Sequence, residues 1–137
     1  MEISAKELRK KLEENNIRPS FQRIKIFQYL LNNRCHPTVE MIYDELHKEM
    51  PTLSKTTVYN TLNLFDKANL VRVLSFDGVE SRYDINTKDH GHFICESCSN
   101  IYDFPIDINS LRFSQLEDFE IKEKNIYFKG LCNKCIN

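Results

Sequence analysis

The 137-residue sequence has no apolar run approaching the roughly 18 residues of a membrane-spanning helix, which argues against a helical membrane protein. Its opening, Met1-Glu2-Ile3-Ser4, does not read as a secretory signal peptide. Internal repeats and low-complexity segments are also absent. There is no surplus of either charge: 19 Lys and Arg face 20 Asp and Glu, and a net charge of −1 excludes a polycation that coats nucleic acid. These absences lead us to expect a cytoplasmic chain without membrane contact, built as one domain or two small ones.

Cysteines are few but patterned. Of the five, Cys35 stands alone, while Cys95-Glu-Ser-Cys98 and Cys132-Asn-Lys-Cys135 form two pairs with 33 residues between them. Disulfides are rare in a reducing compartment, so the pairs read as metal ligands. A Cys-x-x-Cys turn points two sulfurs at one centre, and two such turns complete a tetrahedron suited to structural Zn(II). A thioredoxin-like redox pair is the alternative, but it needs a βαβ setting and no second pair. For Cys35 the plain reading is a bystander thiol.

The first half carries helical signals. Ser4-Ala-Lys-Glu7 is a capping box, followed by Leu8 and Leu12 one turn apart. Pro19-Ser20 opens a second helix with Ile24, Phe27 and Leu31 on one face, and Pro37-Thr38 opens a third with Ile42 and Leu46 inward. Ser54 caps a fourth, in which Val58, Leu62 and Phe65 share a face opposite Thr56, Tyr59, Asn60 and Asn63. Residues 70–76 and 79–85 read as strands joined at Asp77-Gly78, a hairpin signal. This layout predicts a winged helix-turn-helix over residues 1–83, a hinge at 84–89, and a small α/β domain at 90–137, an α+β protein overall. In the last part, His92–Cys95 and Asn100–Phe104 read as strands, Ile108, Leu111 and Leu116 as a loosely patterned helix, and residues 120–130 as strand-like.

Residues 1–83 hold 13 Lys and Arg against 11 Asp and Glu, and residues 84–137 hold 6 against 9, which permits a basic face in the first half. Lys55, Thr56, Thr57, Tyr59 and Asn60 fit a recognition helix with polar side chains to base edges and phosphates. Arg18, Arg23 and Lys25 are candidate phosphate contacts, Arg72 and Arg82 candidate wing contacts, although each taken singly reads as a surface charge. Periodicity alone leaves a DNA reader and a solvated helix face equally open. A second donor group gathers around the first cysteine pair: Asp84, His90, His92 and Asp103. His90-Gly-His92 in a strand puts both rings on one side, and imidazole with carboxylate suits Fe(II), Mn(II) or Zn(II). Nothing local marks His36 as a ligand.

The whole chain resembles the Fur family of metal-dependent repressors. The resemblance rests on Ile17-Arg-Pro-Ser-Phe-Gln-Arg23, His36-Pro-Thr-Val-Glu40, Thr56-Thr-Val-Tyr-Asn-Thr-Leu62, Asp89-His-Gly-His-Phe-Ile-Cys-Glu-Ser-Cys98 and the closing Cys-x-x-Cys. It implies a homodimer on an AT-rich, pseudo-palindromic operator, with zinc on Cys95, Cys98, Cys132 and Cys135. It also implies a regulatory Fe(II) or Mn(II) on His36, Asp84, His90, His92 and Asp103, and so brings in His36. Asp103, where the iron-uptake branch typically has Glu, resembles the peroxide-sensing branch. That branch implies peroxide as the signal, with no other small-molecule substrate, and oxidation at His36 or His90. Three alternatives remain: an iron-uptake, zinc or manganese regulator of the same family, a non-haem iron enzyme, and a zinc-stapled protein-interaction module.

Overall fold

Every α-helix in the computed structural model starts at a hydroxyl that caps it. The structure describes residues 3–34, 36–75, 80–85, 90–122 and 124–136. Helix α1 (Ala5–Glu14) is capped by Ser4, α2 (Phe21–Asn32) by Ser20, α3 (Val39–His47) by Thr38 and α4 (Lys55–Lys67) by Ser54. In each case the side-chain oxygen accepts the amide three residues on, at 3.0–3.2 Å, satisfying a donor that the helix leaves over. The ends of α1 and α4 are built alike. Asn16 and Asn69 take left-handed φ values of 60° and 59°, and the following residues donate back to Leu12 and Phe65 at 2.9 and 2.8 Å, which caps the last carbonyls.

The chain divides into two compact units, Met1–Thr87 and Lys88–Asn137. In the first, the four helices enclose a core that includes Leu8, Leu12, Phe27, Ile42, Val58, Leu62 and Phe65, with the Phe27 and Phe65 rings 5.4 Å apart. Each such side chain contributes about 1.5–3 kcal/mol through burial. The buried face of α2 differs from the expectation. It consists of Ile26, Phe27 and Leu30, while Ile24 and Leu31 are only half-buried at its margins. Strands β1 (Arg72–Leu74) and β2 (Arg82–Asp84) pair antiparallel with Leu74 opposite Arg82, completing the winged helix-turn-helix; both are shorter than expected. Asp84 ends β2 rather than opening a hinge. The turn at Asp77-Gly78 and positions 86–89 lie outside the described residues, as does Cys35.

The second unit is a small sheet. Strand β3 (Gly91–Cys95) is central, with β4 (Ile101–Phe104) antiparallel on one side and β5 (Tyr127–Gly130) parallel on the other. The helix expected around Ile108–Leu116 is replaced by two short 3-10 turns, Ile108–Ser110 and Ser114–Leu116. The apolar residues here explain this. Leu111, Phe113, Leu116, Phe119 and Ile121 follow neither a helical nor a strand period, and all but the half-buried Leu116 are exposed. No described helix is long and apolar enough to cross a membrane.

Candidate metal centres and nucleic-acid interface

The cysteine centre forms where two turns meet at one edge of the second sheet. Cys95 ends β3, and the chain reverses through Glu96 and Ser97, with the Ser99 amide donating to the Cys95 carbonyl at 2.9 Å and Ser99 at φ 63°. Beyond β5, Cys132 opens a turn closed by the Cys135 amide on its carbonyl at 3.0 Å. The four sulfurs lie within 4.8 Å of one another, and Cys98 and Cys132 are 3.9 Å apart. Four ligands at about 2.3 Å around a tetrahedral ion sit roughly 3.8 Å from each other, so this donor set fits zinc.

Electrostatics favour the same ion. The amides of Cys98 and Cys132 reach the Cys95 sulfur at 3.5 and 3.4 Å and lower its pKa to about 6. Cys135 is pushed up to about 12, chiefly by its hydrogen bond to Cys132 and then to Cys95. Without a cation, Cys135 keeps its proton beside the neighbouring sulfurs. A bound dication favours the thiolate instead.

The nitrogen and oxygen donors occur in both units. In the second, His92 and Asp103 are opposite each other in the β3–β4 register, and His90 immediately precedes β3. His90 Nε2 and His92 Nε2 lie 3.5 and 3.4 Å from the same Asp103 oxygen, Oδ1. Two ligands at about 2.1 Å from one ion sit roughly 3.0 Å apart at a right angle and roughly 3.4 Å apart at a tetrahedral one, so these three donors are close to the spacing of one metal's ligands. Both histidines are buried and Asp103 is exposed. Gly91, between the histidines, lies against the Phe104 ring opposite it, so an added Cβ would require that ring to move. In the first unit, His36 Nε2 lies 3.4 Å from Asp84 Oδ2, and both side chains are buried.

The predicted DNA contacts divide into two groups. A cleft of about 480 Å³ between the start of α2 and the side of α4 is lined by Arg18, Arg23, Thr57 and Asn60, and also by Ser20 and Gln22, which sequence reasoning did not name as DNA contacts. The signal for Gln22 was its place in the first turn of α2, beside Arg23. Lys55, Thr56 and Tyr59 are exposed on α4 but do not line the cleft. Several of these groups already have partners inside the protein. Arg23 Nη1 donates to the Arg18 carbonyl at 2.7 Å, Thr57 Oγ1 is 2.9 Å from Ser54 Oγ, and Lys55 Nζ is 2.8 Å from Glu40 Oε1 and over the Tyr43 ring. Arg82, expected on the wing, turns one guanidinium nitrogen toward the His36 carbonyl at 3.2 Å.

Residues 14–129 match the Ferric uptake regulator family. The chain belongs to this family. A peroxide operon regulator of Bacillus subtilis is 35% identical over 139 residues, covering 97% of this chain and 96% of the relative. Among solved structures, a ferric uptake regulator from Francisella tularensis, described as with iron, is 25% identical with a TM-score of 0.76, covering 88% of this chain and 96% of that one. The peroxide-sensing regulator PerR from Streptococcus pyogenes is 26% identical with a TM-score of 0.55, covering 96% and 92%. As a member of the family the chain is a DNA-binding, dimeric transcriptional regulator rather than an enzyme, which removes the non-haem oxygenase alternative.

Proposed function

We propose that the chain is a cytoplasmic, metal-dependent repressor that senses hydrogen peroxide through bound Fe(II), on an AT-rich, pseudo-palindromic operator. Residues 1–83 contact DNA and residues 90–137 make the dimer. Cys95, Cys98, Cys132 and Cys135 hold Zn(II) as a structural ion. His36 and Asp84 from the first unit, with His90, His92 and Asp103 from the second, hold one Fe(II) or Mn(II). Each subset alone is an incomplete shell, of two donors and of three, and nitrogen and oxygen ligands together suit these ions. By drawing on both units, the five ligands tie metal binding to the posture of the winged helices, where Arg18, Arg23, Lys55, Thr56, Thr57, Tyr59 and Asn60 face DNA.

The observation that carries the proposal is the convergence of His90 and His92 on one oxygen of Asp103. The full-length similarity to a peroxide operon regulator favours the peroxide branch over a regulator of metal supply. Fe(II), when bound, supplies the redox chemistry that Mn(II) does not. The protein's part is to present the ring carbons of His36 and His90 to that chemistry. In the net reaction one oxygen of peroxide is added to an imidazole carbon and the other leaves as water. An oxidised ring is a poor ligand, so the metal is lost and the DNA released. The test is DNA binding by Mn-loaded and Fe-loaded protein, each with and without peroxide. Release confined to the Fe-loaded protein supports the reading, and metal-dependent binding indifferent to peroxide returns the chain to the metal-supply regulators.

A further inference from the structure

We infer that Arg82 is a positioning residue for His36. The inference rests on the proposal that His36 is a ligand of the regulatory metal. His36 is buried with a φ of 57°, a left-handed backbone uncommon for a residue with a side chain. Such a conformation persists only where its surroundings hold it. Here they are supplied by three consecutive residues of β2. Arg82 Nη1 donates to the carbonyl of His36 at 3.2 Å, the Tyr83 amide donates to the carbonyl of Pro37 at 3.0 Å, and Asp84 Oδ2 is 3.4 Å from the His36 ring. Strand alternation puts Arg82 and Asp84 on one face of β2 and Tyr83 on the other. Tyr83 is buried in the hydrophobic core, which fixes that register. The Arg82 guanidinium also lies 3.8 Å from Met41 Sδ on α3, so it spans from the wing to the helix that follows the His36 loop.

This geometry ties His36 to the wing. β2 pairs with β1 in the hairpin, Leu74 opposite Arg82 and Arg72 opposite Asp84. A shift of the hairpin is felt at both the carbonyl and the ring of His36. Both contacts are made by one nitrogen, Nη1, at the end of a rigid planar group; a lysine ammonium on a flexible stem does not hold that position in one fixed geometry.

The test uses the full-length, zinc-containing protein as Arg82→Ala and Arg82→Lys, with His36→Ala as reference. Mn(II) affinity is measured by calorimetry, and amide hydrogen exchange at Tyr83 is followed after the regulatory metal has been chelated. We expect Arg82→Ala to weaken Mn(II) binding roughly tenfold, as outer partners of metal ligands do, with Arg82→Lys in between. Tyr83 should exchange faster in both variants while the core amides of α4 keep their wild-type protection. The salt dependence of DNA binding should not change. If instead Mn(II) affinity and Tyr83 exchange stay wild-type and the salt slope falls by about 1, Arg82 is a phosphate contact and the inference is overturned. Loss of fold in Arg82→Ala leaves the decision to Arg82→Lys, where wild-type Mn(II) affinity overturns it. Unchanged Mn(II) binding in His36→Ala removes the ligand assignment itself, an outcome distinct from failure at Arg82 alone.

Discussion

The two units are held together by different means. The first has a core running from Leu8 to Tyr83, with helix caps at both ends of α1 and α4. Among the described residues, the second buries only Ile94, Cys95 and Cys132 of its hydrophobic side chains, while Leu111, Phe113, Phe119, Ile121, Tyr127, Phe128, Leu131 and Ile136 are exposed. A sheet of three short strands with so little buried apolar area does not offset the entropy of ordering. The first unit is therefore stabilised by its own packing. Under the function proposed above, the second depends on its metal and on the second copy of a dimer. The comparison shows where a regulator of this kind is robust and where it can respond.

The sharpest way to break the comparison is to remove zinc. Cys95→Ser or Cys132→Ser should lose the ion and with it the dimer and the second unit, because binding energy at a structural zinc is folding energy, on the order of 10 kcal/mol. Zinc content, mass in solution and helical circular dichroism together read this, with the helices of the first unit retained. A zinc-free dimer as stable as the wild type would contradict it. The converse change is Phe65→Ala in the first core. It should cost about 3–5 kcal/mol in the unfolding of the first unit and leave zinc content intact.

A smaller effect follows from the cysteines. Zinc binds thiolates, so acid should release it. As pH falls through the Cys95 value of about 6, that sulfur takes up a proton and zinc affinity should drop more steeply. A colorimetric zinc-release titration between pH 8 and 5 checks the sign. Smaller again, Tyr59→Ala should weaken specific DNA binding by about 1–3 kcal/mol if the ring meets a base edge, with zinc and dimer unchanged. Gel-shift titration at saturating Mn(II) measures it.

The same contrast governs how far the sequence could be read. The helices were legible because Ser4, Ser20, Thr38 and Ser54 each mark a start and the apolar residues behind them repeat at helical spacing. The sulfur cluster was legible because its two pairs each lie within one turn. The stretch from Pro105 to Ile126 was not, since its exposed apolar residues, Leu111, Phe113, Phe119 and Ile121, have no core among the described residues to impose a period on them. His36 was legible only through family resemblance. Its place is set by long-range hydrogen bonds from β2, and spacing carries no trace of these. The pairing of Lys55 was not legible because Glu40 and Tyr43, its neighbours in space, are a helix away in sequence.

The central claim is that metal and peroxide act through the histidines while zinc stays in place. Fe-loaded and Mn-loaded protein, bound to operator DNA and given a small excess of peroxide, can be followed by gel shift and peptide mass spectrometry together. The account predicts that only the Fe-loaded protein leaves DNA, that a peptide with His36 or His90 gains one oxygen atom, and that Asp103→Glu blunts this gain while keeping metal-dependent binding. Fe-loaded protein that stays on DNA with intact histidines and zinc still bound would contradict it.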